Sequence, residues 1–180
     1  MSEETKGIIL VKVALVSEDG TDEKWTISPE SFAADTHPLP VTGNVTVEGR
    51  LYKADNTIYF NGEVEAVMGL ECSRCLKSFN LPVKDTVAAV FMPKEEFSAA
   101  GEEQELSGED MDITVYDGEQ IELYGPVRDQ LALAAPMRPL CSEDCKGLCP
   151  VCGADLNVEK CGCQAQVLDP RLAALKKLIK

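Results

Sequence analysis

Eight cysteines stand in four close pairs: Cys72/Cys75, Cys141/Cys145, Cys149/Cys152 and Cys161/Cys163. Thiols paired in this way bind metal, join as disulfides or exchange electrons. A loop with two residues between its cysteines can bend so that both sulfurs reach one ion, about 2.3 Å from each, and two such hooks close a tetrahedron. The strongest hook is Lys146–Gly153 (KGLCPVCG), where Pro150 stiffens the turn and Gly153 permits a positive φ after the second sulfur. Cys161-Gly162-Cys163 is tighter. A disulfide inside it would be badly strained, whereas a shared ion is easily accommodated.

Joining hooks that are neighbours in sequence gives two sites of four thiolates. Site A takes Cys72, Cys75, Cys141 and Cys145, and would staple two regions across 65 intervening residues. Site B takes Cys149, Cys152, Cys161 and Cys163 within one short stretch. Two other pairings of the hooks stay open. Zinc is the metal expected, as one or two ions; an iron–sulfur cluster is the alternative, since four thiolates also suit it.

Two competing readings of the thiols carry costs. Structural disulfides need an exported protein, yet the N-terminus, MSEETK, is acidic where a signal peptide would be basic. The expected location is therefore the cytoplasm, with the thiols reduced. A thiol redox protein is the second alternative, because Arg74 inside the first hook would lower a thiol pKa. Such an enzyme places its CxxC after a strand and at the start of a helix, and Ser73–Asn80 followed by Leu81-Pro82 leaves little room for one. No phosphate-cradling glycine loop and no G-x-S-x-G motif is present. His37, the only histidine, precedes Pro38 in a loop-like stretch and reads as surface. A non-catalytic protein is the expectation.

The elements that must position these sulfurs suggest an α+β fold. Its N-terminal half reads as an antiparallel β meander or partly closed sheet, and two helices and a cysteine-rich zinc-knuckle module follow. Gly7–Val16 is a β-rich run. Ser28 and Pro29 suit the start of a short helix. Val41–Leu51 alternates at odd positions, Asp55-Asn56 is a turn signal, and Thr57–Leu70 resumes as a strand that Asn61-Gly62 is expected to bulge or turn back. Leu81–Met92 is a further strand. Trp25, Tyr52, Tyr59 and Phe60 are of the type that stacks on bases, although strand aromatics more often fill a core.

Ile121–Ala135 has helical spacing at Leu123, Val127 and Leu131. Pro136 stops it, and Pro126 moves its start toward Gly125. Residues Pro136–Cys163 carry three prolines, three glycines and six cysteines, so something other than a core must hold them. Asp169–Lys180 reads as a second helix, with Asp169 as N-cap and an apolar stripe through Leu172, Leu175 and Leu178. The expected division is a β-rich region over 1–93, an acidic loop over 94–120, and a helix, metal module and C-terminal helix over 121–180.

Charge limits the partners. The 180 residues carry a net charge of −14, and eleven acids with no base lie between Glu95 and Glu122. A zinc ion held by four thiolates is itself anionic, so the metal sites would not favour phosphate. The acidic block reads as a solvated loop, or as a docking surface for a basic partner. Any RNA contact would fall to Arg171, Lys176, Lys177 and Lys180 near the C-terminus. No apolar run approaches the roughly 20 residues of a membrane span.

One combination of residues is distinctive. Leu70–Phe79 (LECSRCLKSF) precedes a helix closed by Ala135–Cys141 (APMRPLC), and Glu143–Gly153 (EDCKGLCPVCG), Asp155-Leu156-Asn157 and Asp169–Leu175 (DPRLAAL) follow. From about residue 64 to 180 the chain resembles the YceD family, the large ribosomal RNA subunit accumulation proteins. The resemblance implies a non-catalytic role in the synthesis, processing or stability of large-subunit ribosomal RNA. It also implies ribosomal proteins or rRNA-processing factors as partners, and it carries over no catalytic residue. A zinc-bound adaptor unrelated to ribosomes is the remaining alternative.

Overall fold

The computed structural model describes residues 9–99 and 113–163. Strands dominate it: β1 (Leu10–Lys12), β2 (Thr21–Ile27), β3 (Val45–Ala54), β4 (Thr57–Glu71), β5 (Ser78–Pro93), β6 (Ile113–Tyr116) and β7 (Gln120–Glu122). Three helices accompany them: α1 (Pro29–Ala33), α2 (Lys94–Ala99) and α3 (Tyr124–Ala134). The main sheet has the order β2-β3-β4-β5-β6, and β1 pairs with β7 in a separate ribbon.

Alternation builds the sheet. Val45, Val47 and Leu51 of β3 and Ile58, Phe60, Val64 and Met68 of β4 are all buried, two residues being the repeat that returns a strand side chain to one face. Ala54 pairs with Thr57, so Asp55-Asn56 is a two-residue hairpin loop, and Asp55 takes the left-handed backbone it needs (φ 54). Asn61-Gly62 does not break β4, contrary to the expectation from sequence. Gly62 pairs with Gly49, and a Cβ on Gly62 would lie 2.6 Å from the Phe60 ring and 2.5 Å from the Glu48 carbonyl. The glycine makes room for a buried ring rather than a turn.

Three other expectations change. The meander runs antiparallel from β2 to β4, but β6 joins the β5 edge parallel, Val90 opposite Ile113, so the sheet is mixed. In the described part of the Gly7–Val16 run, Leu10–Lys12 is strand and Val13–Leu15 then coils into a 3-10 turn closed by Val16 N–H on the Val13 carbonyl. The segment read as an acidic loop carries α2 at one end and β6 at the other. The C-terminal helix over Asp169–Lys180, with Arg171, Lys176, Lys177 and Lys180, lies outside the described residues, as does the acidic stretch 100–112.

Helix α3 begins where Pro126 falls in its first turn and presents Val127 and Leu131, one turn apart, as its buried face. Tyr124 at its start lies 5.3 Å from the Phe32 ring, and its hydroxyl is 3.1 Å from both the Ser31 carbonyl and the Asp35 carboxylate. Arg128 pairs with the same carboxylate at 2.8 Å. This polar cluster ties α3 to the segment around α1 at the rim of the apolar core. Trp25 packs edge-on against the fully buried Phe60, and Tyr52 stacks on its cross-strand partner Tyr59. His37 is exposed. Among the described residues no helix is long and apolar enough to cross a membrane.

The chain divides into two compact units. Of the described residues, one takes 9–70 with 79–137, and the other takes 71–78 with 138–163. The second unit therefore takes in the Cys72/Cys75 hook, which lies far from the other six cysteines in sequence.

Candidate metal centre

Site A begins where the chain leaves β4 at Glu71. The Cys72 N–H donates to the Lys77 carbonyl and the Leu76 N–H to the Cys72 carbonyl, each at 2.9 Å, closing a tight loop before β5. Residues 139–148 are laced to this loop. Both the backbone N–H and the hydroxyl of Ser73 donate to the Pro139 carbonyl, at 2.9 and 3.0 Å. The Arg74 guanidinium donates to the carbonyls of Glu143 and Cys145, at 3.1 and 2.7 Å, and the Arg74 carbonyl accepts the Leu148 N–H. Gly147 lies so close that an added Cβ would be 2.9 Å from the Arg74 carbonyl oxygen.

This lacing brings four sulfurs together. Those of Cys72, Cys75, Cys141 and Cys145 lie within 4.8 Å of one another. Cys72 and Cys145 are 3.8 Å apart, and Cys75 and Cys141 3.6 Å. A tetrahedron with metal–sulfur bonds of about 2.3 Å has edges of about 3.8 Å, so the set fits a single four-coordinate ion. A disulfide needs about 2.05 Å, and all eight cysteines are free. Cys72, Cys75 and Cys145 are buried, and Cys141 is exposed.

Site B is a shorter construction. Cys149, Cys152, Cys161 and Cys163 also gather within 4.8 Å. The Gly153 N–H donates to the Cys149 carbonyl at 2.9 Å, the Val151 N–H to the Cys149 sulfur at 3.4 Å, and the Cys149 N–H to the Ala154 carbonyl at 2.8 Å. Gly153 has φ 75, the left-handed conformation for which glycine carries no penalty. Only Cys149 of this set is buried.

The electrostatics of both clusters favour a cation. The Cys72 thiol is held down at about 6, chiefly by the Cys141 N–H and then by those of Cys75 and Arg74, against the burial that opposes ionisation. Backbone dipoles do this; the Arg74 guanidinium is committed to carbonyls. Cys149 is likewise held at about 6, first by the Cys152 N–H and then by that of Val151. The later thiols pay for their neighbours. Cys141 is pushed up to about 12 by its contact with Cys75 and then Cys145, and Cys163 to about 12 by Cys152. One or two negative charges are easy in each cluster and the rest need a compensating ion.

Sequence reasoning singled out the sulfurs and missed the polar side chains behind them. Asp155 pairs with Lys77 and accepts two hydrogen bonds from Asn157, and its carboxyl is held at about 2, the Lys77 hydrogen bond being the main cause. Asn157 in turn reaches the backbone and sulfur around Cys145. The visible signal is Asp155-Leu156-Asn157, an Asx pattern that closes turns on its own backbone.

Comparison with known proteins places the chain. Residues 60–179 match the family model described as "Large ribosomal RNA subunit accumulation protein YceD". An uncharacterized protein of Mycobacterium tuberculosis strain H37Rv, Rv2926c, is 30% identical over 130 residues, covering 72% of this chain and 59% of that protein. The uncharacterized protein Mb2951c of Mycobacterium bovis matches to the same extent. The uncharacterized protein YlbN of Bacillus subtilis is 30% identical over 137 residues, covering 76% of this chain and 74% of its own. The chain thus spans about three fifths of the length of the mycobacterial relatives. No solved structure matches. With the family model covering residues 60–179 and both sulfur clusters within that span, the chain belongs to the YceD family of large ribosomal RNA subunit accumulation proteins.

Proposed function

We propose that the protein is a non-catalytic factor for the accumulation of large-subunit ribosomal RNA, with zinc ions as its scaffolding. Family membership supports the ribosomal role, and the observation that carries the scaffolding is the pair of four-sulfur clusters with tetrahedral spacing. Zinc suits them because it is redox-silent, takes four thiolates and closes its coordination sphere. Held this way, Cys72, Cys75, Cys141 and Cys145 would fasten the β4–β5 loop to the residues after α3, and Cys149, Cys152, Cys161 and Cys163 would fold a loop that lacks a core.

Contacts with ribosomal proteins or rRNA-processing factors follow from this role. The acidic block between Glu95 and Glu122 favours a basic protein partner over RNA. Arg171, Lys176, Lys177 and Lys180 are the residues for any direct RNA contact. Reduced thiols suit the cytoplasm. The thiol redox reading is weaker because Arg74 donates to carbonyls and not to a sulfur, and because sulfurs that share an ion would not be free to attack.

Elemental analysis with a free-thiol count on freshly purified protein tests the scaffold. The expected result is two zincs per chain and eight thiols titratable after denaturation in chelator. Metal-free protein with disulfide-linked sulfurs overturns it. Depletion in the source cell tests the role: the ratio of large- to small-subunit ribosomal RNA should fall, and an unchanged ratio overturns the ribosomal reading.

A further inference from the structure

We infer that Asn157 couples the two sulfur clusters, so that an ion in site B raises the affinity of site A. This rests on the metal reading above and adds to it a named residue and a direction of effect. Asn157 lies in the loop that site B closes, after Cys152 and before Cys161. Its side chain, however, serves site A. The carboxamide nitrogen donates to the Cys145 sulfur at 3.5 Å, and the carboxamide oxygen accepts the Lys146 N–H at 2.8 Å.

Chemistry fixes the orientation. The Lys146 N–H requires an acceptor and the thiolate a donor, and an amide offers one of each on adjacent atoms. The same nitrogen also donates to Asp155 at 2.8 Å, and Asp155 is paired with Lys77, two residues beyond Cys75. A polar chain therefore runs from the first hook of site A, through the site B loop, to the second hook of site A. Donation to a metal-bound thiolate draws off charge and steadies its direction, and removing such supporting groups costs roughly 10- to 100-fold in metal affinity.

The loop cannot hold Asn157 in place by packing. Among residues 150–163 none is buried. Backbone bonds hold one side of it, the Leu156 N–H donating to the Gly147 carbonyl at 3.0 Å and Asp155 bridging to Leu148, and the gathering of Cys149, Cys152, Cys161 and Cys163 on a shared ion would fix the other side. Site B then sets the position of Asn157, and Asn157 supports Cys145. Linkage makes the effect reciprocal: an ion in site A raises the affinity of site B by the same factor.

The test is competitive zinc titration of the full chain against a chromophoric chelator, comparing wild type, N157A, C161S/C163S and the three substitutions together. N157A should keep two zincs and bind the site A ion about tenfold more weakly. C161S/C163S should keep one zinc, weakened by a similar factor. The combined variant should be no weaker than C161S/C163S alone, because both changes remove the same interaction. N157D is the second variant. It keeps the acceptor for Lys146 but turns an oxygen toward the sulfur, and should weaken site A more than N157A does.

A cobalt-substituted sample adds a readout that a merely structural role would not move. Loss of an N–H donor to the thiolate should shift the sulfur-to-cobalt charge-transfer band of site A to lower energy. Unchanged site A affinity in both N157A and C161S/C163S, or additive losses, overturns the coupling while leaving two bound zincs intact. A wild-type protein that binds no zinc overturns the metal reading and the coupling together.

Discussion

Leu76 and Gly153 occupy the same place in two different hooks. Each follows the second cysteine, and each donates its N–H at 2.9 Å to the carbonyl of the first. Their φ angles, 58 and 75, both lie in the left-handed region. For glycine this conformation is free; for leucine it costs about 1–2 kcal/mol. Leu76 is 58% exposed, so burial does little to offset the strain.

The pair predicts an asymmetry between two substitutions. Leu76→Gly removes the strain and introduces the chain entropy of glycine, about 0.5–1 kcal/mol, so it should leave stability unchanged or raise it by up to about 1.5 kcal/mol. Gly153→Leu should lower stability by about 1–2 kcal/mol. Denaturant unfolding of the metal-loaded variants measures both. A large loss in Leu76→Gly would show that the leucine side chain makes contacts that matter more than its backbone.

Features set by neighbouring residues were legible in the sequence. The Asp55-Asn56 hairpin, the α3 stretch with Pro126 in its first turn, and the adjacency of the hooks all depend on short-range chemistry. What depended on distant partners was not. Nothing within Ile113–Tyr116 marks it as a parallel neighbour of β5, because strand direction is decided by the connection and not by side-chain period. Gly62 reads as a turn residue by type, but its use is set by Phe60 and Gly49 across the sheet. Asn157 is eleven residues from the backbone N–H that it accepts, and only the folded loop brings them together.

Arg74 should matter for assembly of site A rather than for thiol reactivity. Its guanidinium bridges the carbonyls of Glu143 and Cys145, joining the first hook to the second. Hydrogen bonds from a charged donor contribute about 1.5–3 kcal/mol each when sheltered, and these are half-exposed, so Arg74→Ala should cost about 2 kcal/mol. Arg74→Lys should recover part of the loss, because both bonds leave the single nitrogen Nη1 and an ammonium can donate to two carbonyls, although on a more flexible stem. The kinetic signature is faster zinc release from site A to a chelator in Arg74→Ala, with site B release unchanged.

The α3 rim should give the sheet unit an alkaline limit of its own. Tyr124 is pushed up to about 12, first by burial and then by its hydrogen bond to Asp35 and that carboxylate's charge. Its folded pKa is raised, so folding favours the neutral phenol. That contribution is complete below the ordinary tyrosine value of about 10 and is lost as pH rises through about 12. Absorbance titration of tyrosinate should show a late component that Tyr124→Phe removes, beside that of Tyr116, which burial also raises. At neutral pH the same substitution should cost about 1 kcal/mol, the net worth of one hydrogen bond. An unaltered titration curve in Tyr124→Phe would place the late component elsewhere.

Metal removal should act on the two units unequally, and on the two sites in order. Site A buries three of its four sulfurs and laces them with Ser73 and Arg74, whereas site B buries only Cys149. A chelator reaches exposed ligands first, so site B should empty before site A. Metal binding in isolated finger modules supplies folding energy on the order of 10 kcal/mol, and residues 150–163 have no buried side chain to replace it. This loop should therefore become protease-sensitive at the first zinc lost. The sheet unit has its own core in Phe60, Leu51, Val47, Phe91 and Leu131. Amide exchange in β3 and β4 should remain slow after both ions are gone. Loss of that protection on chelation would mean that the sheet depends on the metal as the cysteine loops do.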